Sequence, residues 1–223
     1  MGDAHGQGFI EDHEAPPVMK KVLAFEIADT TVTNREFKAF IDATGYTTTA
    51  ETIGDSYVFH LLVEPEKRAE YAHVSGSPWW LLVPGASWNH PTGPQSSIDD
   101  VMDHPVVHVS LQDALAYCDW AKVKLPTETQ WEYAARGGTT TQFPWGDELE
   151  QDGGFHANTW QGDFPNTNTE ADGFLGTAPV KSFEPNGYGL YQMIGNVWEW
   201  CCNHRGIPFE EIEEDASCPI NFE

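Results

Sequence analysis

Three stretches of the chain place apolar residues at the spacing of an amphipathic helix. The first runs from Thr33 to Thr44, opens with a capping box formed by Thr33 and Glu36, and stops before Gly45. Phenylalanine and isoleucine side chains share one face of this stretch, as is typical of a helix that packs on a core. The pattern therefore predicts a short, core-facing helix.

Two further helices are predicted by the same signals. One begins at Ser110 and places Cys118 on the side that faces the core. The other follows Pro126, takes Thr127 as its N-cap, and ends at Arg136 before a pair of glycines. Elsewhere the apolar spacing predicts no helix.

Strand signals are sparse. Lys21–Ile27 and Val106–Val109 are the best candidates, since each is a short and mainly apolar run. The 20 glycines and 15 prolines are spread evenly rather than gathered in a linker. The chain is therefore predicted to fold as a single irregular α+β domain with low regular secondary structure.

The charge of the chain narrows the range of partners. Its 223 residues include 35 acidic but only 11 basic side chains, which gives a net charge of −24. Nucleic acid and anionic membrane surfaces would be repelled, whereas a divalent metal ion or a peptide with Arg or Lys would be attracted. An acidic, solvated coat explains the composition equally well. No apolar run reaches the roughly 20 residues of a membrane span, and the start of the chain has no signal-peptide pattern, so the compartment stays open.

The segment between residues 158 and 200 follows neither a helical nor a strand period. Glycines alternate there with amides, carboxylates and tryptophans, and Asn158, Asp172 and Glu199 supply hard oxygen atoms. Oxygen donors on a glycine-rich backbone suit calcium. A loop that caps its own turns without any metal is the alternative that composition leaves open.

Cysteine and histidine residues give no recognisable metal site. Cys118, Cys201, Cys202 and Cys218 match no zinc-ribbon spacing. His104 and His108 are separated by strand-like residues that include a proline, so we expect structural hydrogen bonds rather than a metal pair. The chain has no nucleophile elbow and no phosphate loop, so hydrolase and NTPase functions have no support.

Short motifs occur in a fixed order from the first residues to about Trp200. Two of them are Leu125-Pro-Thr-Glu-x-x-Trp131-Glu and Gly195-Asn-Val-Trp-Glu-Trp200. Three others are Gly54-Asp-Ser-Tyr-Val-Phe59, Pro78-Trp-Trp80 and Trp88-x-His90-Pro-x-Gly93. The first two resemble a wide superfamily. The other three resemble its formylglycine-generating branch, the sulfatase-modifying factors.

The resemblance implies a C-type-lectin-like domain over residues 1–200 that is stabilised by two calcium ions, and an unmatched acidic tail over residues 201–223. The ligands implied for the first ion are the Asn158 side chain, the Thr159 carbonyl, the Asp172 carboxylate and the Phe174 carbonyl. Those implied for the second are Gln192, the Gly195 and Val197 carbonyls, and Glu199. Gln192 stands where the family usually has Asn, which weakens the second site without abolishing it.

The resemblance also implies a reaction. Members of the family use molecular oxygen and a copper(I) ion held by two cysteine thiolates to convert the cysteine of a Cys-x-Pro-x-Arg segment in a sulfatase polypeptide to formylglycine. Their cysteine pair follows the Trp-Glu-Trp motif in a segment that begins Gly-Gly-Ser. The residues after Trp200 do not match that segment, so we assign none of Cys201, Cys202 and Cys218 to copper, and the catalytic residues stay unknown.

Two residues are implied to contact the substrate peptide. Trp79 corresponds to a position beside the peptide groove, and Asp55 to a carboxylate near the arginine of the peptide. Packing of the Trp79-Trp80 pair and turn capping by Asp55 are the alternatives.

Two functions fit these inferences. In the first, which the resemblance implies, the chain is most of a formylglycine-generating oxidase without its recognisable cysteine segment, and we expect the polypeptide to be incomplete and inactive by itself. Alternatively, it is a catalytically silent, calcium-stabilised peptide-binding relative.

Overall fold

The protein is described by a computed structural model covering residues 1–9, 12 and 14–202. The α-helices of this part of the chain are α1 (Asn34–Thr44), α2 (Thr49–Ile53), α3 (Leu111–Ala121) and α4 (Glu128–Arg136), and two short 3₁₀ helices lie at His60–Leu62 and Arg68–Glu70. The strands are β1 (Asp55–Phe59), β2 (Ala72–Val74), β3 (Ser77–Pro84), β4 (Glu150–Gln151) and β5 (Gly154–Phe155). Long loops join these elements, which confirms an irregular α+β fold. None of the described helices is long and apolar enough to cross a membrane.

The three predicted helices are confirmed as α1, α3 and α4. Each begins with a capping box in which the N-cap hydroxyl and the side chain three residues later bond to each other's backbone N–H groups. Helix α1 ends at Gly45, which has a φ of 66°. That left-handed conformation is easily reached by glycine and stops the helix. Cys118 is buried on α3, as predicted.

Helix α2 was missed by the periodicity argument. Thr48 caps it through a box with Glu51, and Gly54 ends it at a φ of 93°. Five residues are too few to show an apolar repeat, so the capping box and the glycine are the signals that could have revealed this helix.

Both predicted strands are wrong. Lys21–Ile27 and Val106–Val109 take part in no strand ladder among the described residues. An apolar run becomes a strand only when another segment pairs with it, and the run does not specify that partner. In the second segment, His108 also has a φ of 59°, which is incompatible with an extended strand.

A three-stranded antiparallel sheet with the order β1-β3-β2 forms one side of the core. Its β1–β3 register runs from Asp55 opposite Pro84 to Phe59 opposite Trp80. The inner face carries Val58, Leu81 and Val83, which are buried. The outer face carries Tyr57 and Trp80, which are 54% and 41% exposed. The sheet therefore has one apolar face in the core and one aromatic face in solvent.

Two other apolar clusters complete the interior. Phe37, Phe40 and Trp88 pack between α1, α3 and the loop after β3. Ala134 and Ala135 of α4 pack on Leu190 and Met193. The second cluster attaches the irregular segment after residue 158 to a rigid helix.

Candidate functional site

The loop between residues 158 and 174 brings together the four residues implied for the first calcium ion. The Asp172 carboxylate accepts the N–H of Thr159 through one oxygen at 2.9 Å and the N–H of Phe174 through the other at 3.0 Å. Asn158 is buried, and its amide nitrogen donates to the Gly176 carbonyl at 2.8 Å. These bonds fold the loop so that residues far apart in sequence become neighbours.

A side chain that sequence reasoning missed lies among these oxygens. The amide nitrogen of Gln161 donates to the Thr159 carbonyl and, at 2.9 Å, to Asp172 Oδ2. A polarised N–H group therefore sits where two of the implied ligand oxygens converge. Convergent oxygens from a carboxylate and a carbonyl are also what a calcium ion requires, so the donor set fits that ion.

Gln192, implied as a ligand of the second ion, carries an unsatisfied acceptor. The side chain is buried, and its Nε2 donates to the Pro179 carbonyl. Its Oε1 is buried without a hydrogen-bond partner among the described residues. A buried acceptor left unpaired costs about 1–3 kcal/mol, which a cation at this oxygen would offset.

Glu199 supplies the carboxylate implied for the second ion. One of its oxygens accepts the indole N–H of Trp131 at 3.0 Å. Burial raises the pKa of the Glu199 carboxyl, and the bond from Trp131 partly opposes that shift. The Gly195 carbonyl, also implied, accepts the N–H of Val197 at 2.9 Å. A cation beside Glu199 would favour its ionised form.

The described residues bring no three His, Cys, Asp or Glu side chains together in a metal-binding group. Each implied calcium site therefore depends on one carboxylate together with amide and carbonyl oxygens. Calcium accepts such neutral oxygens, whereas transition metals favour imidazole and thiolate ligands.

Asn196 joins the two groups of implied ligands, and nothing in the sequence pattern identified it. Its backbone N–H donates to the Asn158 carbonyl at 2.9 Å, and its Oδ1 accepts the Asn158 amide at 3.0 Å. The same side chain bonds to both the N–H and the carbonyl of Ala178, at 2.8 and 3.1 Å. Asn196 has a φ of 63°, a conformation that asparagine tolerates better than most residues.

The two implied peptide contacts are not adjacent. Asp55 lies at the start of β1 opposite Pro84, while Trp79 lies near the other end of β3. Because side chains alternate along a strand, Trp79 shares the inner face with Leu81, and Asp55 shares the outer face with Trp80. The Trp79 ring packs edge-on against Phe164, with ring centroids 5.0 Å apart.

The two histidines make structural hydrogen bonds, as expected. His104 Nδ1 lies 2.9 Å from the Thr177 hydroxyl. His108 Nε2 lies 2.8 Å from the Pro91 carbonyl and must donate to it, so Nδ1 accepts the Ser56 hydroxyl at 2.8 Å. Burial lowers the pKa of both rings, which favours their neutral forms.

The described cysteines do not form a pair of reactive thiols. Cys118 and Cys201 are free, and burial raises the pKa of each. For Cys201, burial and the nearby Glu128 and Glu199 carboxylates raise the pKa to about 12. Cys202 is disulfide-bonded. Cys218, with the rest of the predicted tail after residue 202, lies outside the described residues.

Comparisons with known proteins agree with the motifs. The family model described as Sulfatase-modifying factor enzyme 1-like domain matches residues 1–206. The formylglycine-generating enzyme of Streptomyces coelicolor is 51% identical over 202 residues, which cover 90% of this chain and 64% of the relative. The inactive C-alpha-formylglycine-generating enzyme 2 of Mus musculus is 45% identical over 191 residues, which cover 85% of this chain and 61% of the relative.

A solved structure supports the fold. PvdO from Pseudomonas aeruginosa matches with a TM-score of 0.50 and 26% identity over 79% of this chain and 56% of that one. The chain thus spans less than two thirds of the length of each of these relatives. Since the family model covers nearly the whole sequence, the chain belongs to the family of sulfatase-modifying factor enzyme 1-like domains.

Proposed function

We propose that residues 1–200 form the calcium-stabilised, peptide-binding scaffold of a formylglycine-generating enzyme, with a sulfatase polypeptide as the partner. Similarity to a formylglycine-generating enzyme over nine tenths of the chain carries the proposal. In that reaction the cysteine of a Cys-x-Pro-x-Arg segment becomes formylglycine.

Calcium fits the oxygens of the irregular segment. Asn158, Thr159, Asp172 and Phe174 would hold one ion, and Gln192, Gly195, Val197 and Glu199 the other. The unpaired Oε1 of Gln192 is the observation that most favours a cation, because a buried acceptor is stabilised by one. Bound calcium would supply charge and coordination that fix these loops against α4.

Copper(I) does not fit the described cysteines. A dithiolate site needs two deprotonated thiols that can reach one ion. Cys202 is bonded in a disulfide, and the raised pKa of Cys201 keeps its thiol protonated at neutral pH. We therefore derive no oxidation step from these residues.

The outer face of the β1–β3 sheet offers a surface for the peptide. The Asp55 carboxylate would accept hydrogen bonds from the peptide's guanidinium, a charge-assisted pair. Trp80 would contact its apolar part near the other end of this face, whereas Trp79 lies on the inner face and packs against Phe164. The net charge of −24 would attract an arginine-containing segment at long range.

The alternative is a silent peptide-binding relative. The 45% identity to an inactive mouse relative favours it, as does the state of the described cysteines. Both functions require peptide binding, and only the first requires oxidation. The two are therefore separated by one assay for binding and one for conversion.

Binding is tested by fluorescence anisotropy with a labelled Cys-x-Pro-x-Arg peptide and a matched peptide in which citrulline replaces the arginine. Wild-type protein should prefer the arginine peptide by about tenfold or more, since a charge-assisted hydrogen bond contributes roughly 1.5–3 kcal/mol. Asp55→Asn should remove this preference, and the control Asp42→Asn should keep it. Equal binding of both peptides by the wild type would contradict the role of Asp55.

Conversion is tested on the same peptide with oxygen, copper(I), calcium and a mild reductant, followed by mass spectrometry of the cysteine. We expect the 223-residue chain to bind the peptide and leave its cysteine unchanged. Formylglycine product would show that cysteines of this chain do hold copper, and the scaffold assignment would then be wrong.

A further inference from the structure

Tyr133 and Tyr188 form an exposed pair outside the candidate site. Their ring centroids are 5.5 Å apart with planes tilted by 30°, and their phenol oxygens are 3.2 Å apart. The two side chains are 49% and 47% exposed. Because the oxygens are closer than the centroids, the rings converge toward their hydroxyl ends. The ortho carbons beside the hydroxyl groups therefore lie near one another.

The fold holds both rings in this arrangement. Tyr133 is on α4 and packs edge-on against Phe25, with ring centroids 6.3 Å apart. Asn186 fastens the loop that carries Tyr188 to the end of α4, because its amide donates to the Ala134 carbonyl at 2.8 Å. The Oδ1 of Asn186 accepts the Tyr188 N–H at 2.9 Å. The ring pair is thus positioned by the backbone rather than by a chance encounter of two side chains.

We propose that Tyr133 and Tyr188 are a modification site, at which a one-electron oxidant such as a peroxidase with hydrogen peroxide forms an intramolecular dityrosine. Each phenol loses one electron and one proton. The two radicals join through a new bond between ortho carbons, and transfer of the two ring hydrogens to the oxygens restores the phenols. Overall the pair loses two hydrogen atoms, and one hydrogen peroxide is reduced to two water molecules.

Preorganisation makes this pair react in preference to other tyrosines. Two groups held side by side by the fold react far faster than the same groups on a flexible chain, where closing a loop opposes their encounter. Tyr57 is 54% exposed, yet no ring contact is found for it among the described residues. The cross-link would tie α4 to the loop that leads into residues 192–199, and this inference does not depend on the proposed function.

The test is oxidation of dilute protein by peroxidase and hydrogen peroxide, with dityrosine read by its fluorescence in the monomer fraction and by peptide mass mapping. Wild-type protein should yield a peptide joined at residues 133 and 188, lighter by two hydrogen atoms. Tyr188→Phe and Tyr133→Phe should each lose it. Tyr57→Phe is the matched control and should retain it.

Circular dichroism of each variant verifies that it is folded, and Tyr188→Phe, on a loop, is the milder of the two changes. Oxidation in urea provides a second comparison, in which the yield should fall because the loop no longer holds Tyr188 on the helix. The proposal is overturned by a monomer without dityrosine, by cross-links that map to Tyr57, or by equal yields from folded and unfolded chains.

Discussion

Cys201 shows how one buried environment sets the chemistry of a residue. Burial comes first among the causes of its raised pKa, and the Glu128 and Glu199 carboxylates add to it. A thiol reacts as its thiolate, so the native protein should resist alkylation at Cys201 up to strongly alkaline pH.

We expect iodoacetamide to label Cys201 of the native protein only as the pH approaches about 12, and to label the unfolded chain from its ordinary range of about 8.5 upward. The folded pKa lies above the unfolded one. The thiol's contribution to stability is therefore complete below about 8.5 and is lost as the pH rises toward about 12. Peptide mass mapping at a series of pH values measures the extent of alkylation at Cys201. Rapid native labelling at pH 8 would contradict the burial.

Asp113 is a buried side chain with a structural role. Its buried carboxylate accepts the Tyr46 hydroxyl at 3.0 Å, the Thr49 N–H at 3.0 Å and the Ser110 N–H at 2.8 Å. Burial and this carboxylate raise the pKa of Tyr46 to about 12. One side chain thus completes the capping box of α3 and anchors the start of α2.

Asp113→Asn should destabilise the protein by about 2–4 kcal/mol, because the new amide N–H group would face donors that need an acceptor. Urea unfolding followed by tryptophan fluorescence measures the loss. The control Asp42→Asn, at an exposed ion pair with Lys38, should cost less than about 0.5 kcal/mol. Similar losses in both variants would mean that the Asp113 network contributes little.

At the scale of elements, the sequence predicted the helices whose start and stop signals lie within the helix itself. Helices α1, α3 and α4 carry their start and stop signals within a few residues, so Thr33 or Ser110 could be assigned without knowing the rest of the fold. The strands could not, because β1 and β3 are defined by pairing with each other rather than by their own apolar pattern. Helix α2 has start and stop signals of its own but is too short to show an apolar repeat.

The residues of the candidate site also fall into two groups, those that the sequence implied and those that only the folded structure identifies. The resemblance implied Asn158 and Asp172 as ligands, and the fold places Asp172 on the N–H of Thr159, the residue after Asn158. Gln161 and Asn196 were not found, because their roles depend on where an amide points after the loops have folded. The spacing of residues in the sequence does not predict the direction of a side-chain amide.

Gly195 provides a test of how closely the two loops proposed to bind calcium pack together. It has a φ of 77°, and a Cβ there would collide with the Asn158 carbonyl oxygen. Gly195→Ala should therefore cost the ordinary penalty for a left-handed alanine, about 1 kcal/mol, and about 1–3 kcal/mol more for the collision.

Gly76→Ala is the matched control, since Gly76 has a φ of 82° with open space at the Cβ position. Only the conformational penalty should appear there. Chemical denaturation of both variants measures the difference, and equal losses would show that the loop can move aside.

At the scale of the whole molecule, we expect net charge and the proposed calcium binding both to affect stability. Mutual repulsion within a chain of net charge −24 destabilises the compact state, and salt weakens that repulsion. Both calcium and magnesium salts should therefore raise the melting temperature through screening. Only calcium should add specific binding.

Differential scanning fluorimetry at equal ionic strength separates the two effects. Calcium should raise the melting temperature well above the value in magnesium, because a ligand at a hundredfold its Kd adds about 2.7 kcal/mol per site. Gln192→Asn, which restores the family's usual residue, should enlarge the difference between the melting temperatures in calcium and in magnesium. Identical melting temperatures in the two salts would remove calcium from the proposed function.

The β1–β3 register determines the distance between Asp55 and the Phe59–Trp80 pair on the outer face of the sheet. Asp55 and the Phe59–Trp80 pair share the outer face and are four residues apart along β1, which is about 13 Å. An extended peptide covers the same span in four residue steps, the separation of Cys and Arg in Cys-x-Pro-x-Arg. If Asp55 binds the arginine, the sheet selects peptides by the number of residues between Cys and Arg. A peptide with one residue added or removed between Cys and Arg could not place both ends in register.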